Sequence, residues 1–233
     1  MREIVLDTET TGLDPLRGDR LVEIGCVEMV NRMATGAVYH QYINPERDMP
    51  EEAFNVHGLS SEFLSDKPVF ASIAQEFLDF IGDAPLVIHN AAFDIGFINA
   101  ELTRASFEAV SRDRLVDTLL IARRKHPGAA NRLDDLCSRY NIDNSRRTKH
   151  GALLDAELLA EVYIELVEAR QASLILTETP VLSAARQADE PRRQRAVPLA
   201  PRLTEADLEA HRAFVGTLGD SAIWREFFAQ EPA

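Results

Sequence analysis

The sequence predicts an α/β domain built on a sheet of mixed direction. Three apolar, strand-like segments follow one another at the N-terminus with short turns between them, which reads as an antiparallel meander. From residue 70 onward, apolar strand-like runs alternate with stretches of helical period. Hydrophobic residues make up 45% of the 233 residues, enough for a sizeable core.

In order, residues 3–7 (EIVLD), 21–30 (LVEIGCVEMV) and 36–43 (GAVYHQYI) are the first three expected strands. A loop with Pro45 and Pro50 leads to short polar helical stretches within residues 51–66. Over 70–81, Phe70, Ile73, Phe77, Phe80 and Ile81 fall on one helical face. Residues 85–89 (PLVIH) read as a buried strand and 91–105 as a helix that Asn90 can cap. LVDTLLIA, within 114–124, runs from strand into helix. Leu133, Leu136 and Tyr140 stripe a helix over 131–142. Leu154, Leu158, Val162 and Leu166, four residues apart, mark a longer one over 152–170.

After residue 176 the composition turns to proline, arginine and polar residues without period. The expected organisation is a folded domain over 1–176, a flexible linker over 177–203 and a C-terminal segment over 204–233. In that segment Thr204 and Asp207 signal a helix start, and SAIWREFF brings Trp224, Phe227 and Phe228. Such an aromatic chain end suits an interface anchor.

The formal net charge of −13 argues against a protein that grips nucleic acid by its phosphates unaided. A bound cation or a partner must supply that attraction. Cys26 and Cys137 form no CxxC pair, which speaks against a disulfide framework or zinc site and fits a reducing, cytoplasmic setting. No apolar run follows the basic start as in a signal peptide, and none approaches a membrane span.

The chemistry rests on Asp7, Glu9, Asp94, His150 and Asp155. Asp7 and Glu9, two apart on a strand, share a face and repel unless a cation lies between them. Hard oxygen donors suit Mg²⁺ or Mn²⁺. By itself DTETTG reads equally well as a capped turn. Asp94 alone reads as a first-turn carboxylate on a helix dipole. His150 and Asp155, five apart, share no helical face, so His150 belongs to the loop RRTKHG and Asp155 to the helix after it. A histidine there is suited to general-base work.

The combination DxE, then NxxFD, then HxxxxD, together with VEIGCVEMVNR, EEAFNVHGLS and LDDLCSRYNIDNSRRTKHGALLDAELLAEVY, resembles the DEDDh class of 3′→5′ exonucleases over residues 1–175. Within it the chain resembles the proofreading subunits of bacterial DNA polymerase III. The resemblance implies a ribonuclease-H-like fold: a mixed five-stranded sheet flanked by helices, with a flexible C-terminal tail. It implies two Mg²⁺ or Mn²⁺ ions held by Asp7, Glu9 and Asp155, with Asp94 completing the cluster and His150 taking the proton of the attacking water. Glu52 and His57 match positions that contact the terminal nucleotide, and Thr8, Thr10 and Thr11 would set backbone or hydroxyl groups against its base and sugar. Phe93 is expected in the core. Gln171, Ser173, Leu174 and Leu176 resemble peptides that bind a sliding clamp, and Trp224, Phe227 and Phe228 would bind the DNA polymerase III catalytic subunit. The implied substrate is a single-stranded DNA 3′ end, with no membrane partner. An RNA-directed member of the class and a catalytically dead polymerase-stabilising subunit are the rival readings. The short loop LDPLRGD after the first motif departs from the pattern and puts contacts there in doubt.

Overall fold

Strand β1 (Arg2–Thr10) is the spine of the computed structural model, which describes residues 1–147, 149–168, 203–219 and 223–224. It pairs antiparallel with β2 (Leu21–Val30) on one side and parallel with β4 (Leu86–Ile88) on the other. β3 (Met33–Tyr42) and β5 (Leu115–Asp117) complete a five-stranded sheet in the order β3-β2-β1-β4-β5. The mixed sheet and its meander are as expected. The third strand begins earlier than its composition suggested, at Met33, because Asn31 and Arg32 (φ 52° and 67°) make a two-residue turn that pairs Val30 directly with Met33. Arg32 tolerates that conformation with its guanidinium on buried Glu3, 2.6 Å away, and on the Tyr163 hydroxyl.

Alternation along β1 sends its side chains to two cores. Ile4 and Leu6 join Phe70 and Phe77 of α3 (Phe70–Ile81) and Phe97 and Ile98 of α4 (Ala91–Arg104). Val5 joins Leu159 and Tyr163 of α7 (Ala152–Leu166) on the opposite face. The leucine stripe legible in the sequence is a third contact: Leu158, Val162 and Leu166 pack on Ala122 of α5 (Thr118–Lys125) and Leu136 of α6 (Leu133–Tyr140). α7 is therefore covered on both sides, and the four-residue period marks only one of them. It ends at Leu166 rather than at residue 170, where Lys125 Nζ donates to the Glu165 and Leu166 carbonyls at 2.9 and 3.1 Å. The short helices α1 (Glu51–His57) and α2 (Ser61–Leu64) lie in the segment between β3 and α3.

The chain divides into two compact units, Met1–Leu174 and Ile175–Ala233. In the second, α8 (Glu205–Thr217) starts as the sequence predicts, Thr204 and Asp207 forming a reciprocal capping box. Trp224 is half exposed, its ring 5.8 Å from that of His211. Gln171, Ser173, Leu174, Leu176, Phe227, Phe228 and the linker up to residue 202 lie outside the described residues. Among the described residues no helix is long and apolar enough to cross a membrane.

Candidate active site

Asp7 and Glu9 leave β1 on the side of Val5, the face that α7 covers, as their two-residue spacing requires. Gly25 stands opposite Asp7 in the antiparallel register. A Cβ there would meet the backbone of Ala152 and Leu153 at 2.3–2.4 Å. The bare backbone lets the first turn of α7 lie directly on the sheet, which brings Asp155 to the two β1 acids. Asp94 arrives from the first turn of α4, and Thr8, pointing the other way from β1, donates to its Oδ1 at 2.7 Å.

Asn90 does not cap α4 as the sequence suggested. It sits in the left-handed region (φ 67°) and makes no side-chain cap. Asp117, at the end of β5, accepts instead from the Asn90, Ala91 and Leu119 N–H groups at 3.3, 3.2 and 2.9 Å. One carboxylate thus fixes the start of both α4 and α5, and with them the cleft at the carboxyl ends of β1 and β4. His150 lies in the loop before α7, as expected. Its N–H donates to the Val56 carbonyl of α1 at 3.3 Å, and Lys149 Nζ lies 5.0 Å over the Phe54 ring. The loop is thereby tied to the helix that carries Glu52 and His57.

Burial sets the electrostatics. Asp7 keeps an edge on the cavity, yet desolvation first, then the nearby Asp94, Glu9 and Asp155 carboxylates, push its pKa well above the usual carboxylate range. Desolvation and Asp155 push Glu9 up to about 8. Desolvation pushes Asp94 up to about 7, against the pull of the Thr8 hydroxyl. Burial acts the same way on Asp155, but the hydrogen bonds and charge of the Arg147 guanidinium outweigh it and hold that carboxyl below its ordinary value. Arg147 donates from Nε and Nη2 to the two Asp155 oxygens at 2.5 and 2.7 Å, and from Nη1 to Asp134 at 2.6 Å. Its Nη2 also lies 2.8 Å from His150 Nδ1; a guanidinium can only donate, so Nδ1 accepts.

Crowded acids around one guanidinium form a site that demands positive charge. Glu9 Oε1 is buried with no partner, an acceptor waiting for a cation. Glu9, His150 and Asp155 can each offer a ligand atom within 4.8 Å of the others. The expected ligand set was Asp7, Glu9 and Asp155; among the described residues the ligand atoms that lie together belong to Glu9, Asp155 and His150, with His150 in the place expected for Asp7, which borders a cavity with His150 and Asp155. These donors fit a hard divalent cation.

The signs give a test. Glu9 and Asp94 hold protons more tightly folded than unfolded, so their contribution is present below about pH 4 and is lost as pH rises toward 8. With a chelator, the melting temperature is expected to fall between pH 5 and pH 8, each kcal/mol appearing as about 2–4 °C. Added Mn²⁺ should flatten that decline. A calorimetric trace that is level, or climbs, across this window without metal would contradict the assignment of burial as the dominant effect.

The family described as Exonuclease matches residues 4–163. A protein named DNA polymerase III subunit epsilon from Rickettsia felis (strain ATCC VR-1525 / URRWXCal2) is 48% identical over 224 residues, spanning 94% of this chain and 97% of the relative. One of the same name from Escherichia coli (strain K12) is 45% identical over 244 residues, spanning 96% and 97%. The chain belongs to the exonuclease family of these epsilon subunits. The solved structure titled Exonuclease X in complex with 5′ overhanging duplex DNA agrees in fold, with a TM-score of 0.56 at 22% identity over 71% of this chain and 90% of that one. Membership makes the chain a 3′→5′ exonuclease.

Two cavities border these acids, one at Asp7 and Asp155 and the other at Glu9. The smaller, about 530 Å³, is bounded by Glu9, Thr8, Thr10, Thr11, Glu52 and His57. His57 is 6% exposed; its Nδ1 accepts from the Leu59 N–H at 3.0 Å, so the neutral ring carries its proton on Nε2, which has no partner. The hydroxyls of Thr8, Thr10 and Thr11 donate within the protein, to Asp94, the Gly12 carbonyl and Asp19, which commits their protons and leaves them no donor for a ligand. Phe93 is partly buried against the core, 5.1 Å from the Phe97 ring, and also borders this cavity. The larger cavity, about 980 Å³, runs from Asp7 and Asp155 past His150 to α5 and α6. Motif reading passed over Gly25, Asp117 and Arg147. The strand–helix junction LVDT signals Asp117 as a cap, and RRTKH places Arg147 three residues before His150.

Proposed function

We propose that this exonuclease edits DNA in the cytoplasm during replication, removing mismatched 3′-terminal nucleotides as nucleoside 5′-monophosphates. The observation that carries the reading is the convergence of Asp7, Glu9, Asp94 and Asp155 with His150 between two cavities. Asp7, Glu9 and Asp155 would hold two Mg²⁺ or Mn²⁺ ions, with Asp94 adding negative charge behind Thr8. When bound, such ions polarise the phosphodiester and lower the pKa of water. The terminal nucleotide would lie in the smaller cavity, which Glu52 and His57 border. His150 takes a proton from the attacking water as its oxygen bonds to phosphorus. The P–O bond to the penultimate sugar breaks, the departing 3′ oxygen takes a proton from solvent water, and His150 returns its own proton to solvent.

Association with a DNA polymerase III catalytic subunit through Trp224, Phe227 and Phe228, and with a sliding clamp through Gln171, Ser173, Leu174 and Leu176, belongs to the same proposal. It is supported by the change of composition after residue 176 and by the relatives' names. Tethering raises the local concentration of primer ends and compensates for a net charge of −13. The assay compares a 3′-mismatched DNA primer, its matched counterpart and an RNA oligonucleotide, with Mg²⁺ and with chelator. Faster loss of the mismatched end, dependent on metal, is expected; preference for RNA would overturn the editing role.

A further inference from the structure

The α5–α6 side of the larger cavity carries positive charge that the reaction at the acids does not use. We propose that Arg123 and Arg132 form a subsite for backbone phosphates of the strand upstream of the scissile bond. The inference rests on the exonuclease reading and extends it to a stretch of substrate.

Both arginines border the cavity that begins at Asp7 and Asp155. Both are exposed, and among the described residues neither enters an ion pair, although the chain's net charge is −13. Neighbouring cations are spent elsewhere. Lys125 binds the end of α7, Arg139 donates to Asn131 and the Ala130 carbonyl, and Arg147 holds Asp134 and Asp155. Arg123 stands in the last turn of α5, near enough to His89 to hold the ring's pKa down together with burial. A basic residue there also complements the helix dipole, but that role is equally open to Arg124, whose guanidinium donates to the Leu120 carbonyl.

The position of Arg132 is built. His89 Nε2 donates to the Asn131 carbonyl at 2.9 Å, and Asn131 Nδ2 donates to the Ala129 carbonyl at 2.9 Å. The buried Asn131 therefore braces the turn and sets the residue after it at the start of α6. A strand whose last nucleotide fills the smaller cavity and whose scissile phosphate lies at the acids has the larger cavity for its preceding nucleotides. Guanidinium groups suit phosphate through paired N–H donors.

The full chain is tested as R123A/R132A and, as a control that removes charge outside the cavity, R124A. For single-stranded oligothymidylate with Mn²⁺, KM of the double variant should rise roughly tenfold with kcat little changed. The p-nitrophenyl ester of thymidine 5′-monophosphate, which has no upstream phosphate, should be hydrolysed as by the native chain. Fluorescence anisotropy of a labelled oligothymidylate with Ca²⁺ should show the slope of log K against log salt reduced by about 0.7 for each phosphate no longer neutralised. R124A should match the native chain. An unchanged KM and slope, an equal change in R124A, or the same loss on the ester would each overturn the subsite. If the native chain hydrolyses neither substrate, the exonuclease reading fails, and the anisotropy slopes still decide for or against the subsite.

Discussion

Replacing Asp7 with alanine is expected to lower the rate of primer hydrolysis by at least about three orders of magnitude, and to raise the melting temperature of the metal-free protein. The first effect follows from the size of the stabilisation removed. Cation stabilisation of the reacting phosphate is worth several kcal/mol, and each 1.36 kcal/mol is about tenfold in rate. The second follows from repulsion. Asp7 is pressed by burial and by the Asp94, Glu9 and Asp155 carboxylates, all of which raise its pKa. Removing it takes out of the cluster a buried carboxyl whose ionisation opposes folding as pH rises, and leaves the smaller burden of a shortened side chain. Hydrolysis with Mn²⁺ and calorimetry with chelator measure the two effects on one preparation. An unfolded variant, or one that keeps a tenth of the native rate, would show that Asp7 supports the sheet rather than the chemistry.

The two β1 acids were legible because strand geometry leaves little choice. A two-residue spacing puts both on one face, and the apolar run before them says which strand carries them. His150 was legible by exclusion: five residues from Asp155, it could not share the helix. The meeting of Asp155 with Asp7 was legible through the family resemblance but not through local pattern. It depends on how closely α7 approaches the sheet, and Gly25, inside an apolar strand, decides that approach. Local periodicity describes a strand or a helix by itself, whereas Gly25 acts between the two.

Arg147 illustrates the same limit in charge rather than space. In the sequence it is one of several cations before His150. In the fold its side chain is only 7% exposed and grips both oxygens of a carboxylate that the motif assigns to metal. The capping of α4 failed for a related reason: Asn90 is adjacent to the helix, but Asp117 reaches it across the sheet and serves two helices at once. Local rules located the elements well. The contacts between elements, carried here by a glycine, an arginine and an aspartate, complete the site.

Replacing His150 with alanine is expected to lower kcat by about 10²–10⁴, the range for a lost general base, with little change in KM or in Mn²⁺ affinity. The side chain is 47% exposed on a loop pinned at Val56, so its loss leaves the fold unstrained and the acids in place. That exposure also leaves a water-filled space of imidazole shape. Free imidazole should therefore restore part of the rate in this variant and none in Asp7→Ala. The placement of a His150 nitrogen within 4.8 Å of ligand atoms of Glu9 and Asp155 defines the competing role. A ligand removed from the cluster would weaken Mn²⁺ binding in step with the rate, and added imidazole would recover both together. Calorimetric titration of Mn²⁺ into the variant separates the cases: unchanged affinity with a rescued rate identifies a base, whereas a parallel fall identifies a ligand.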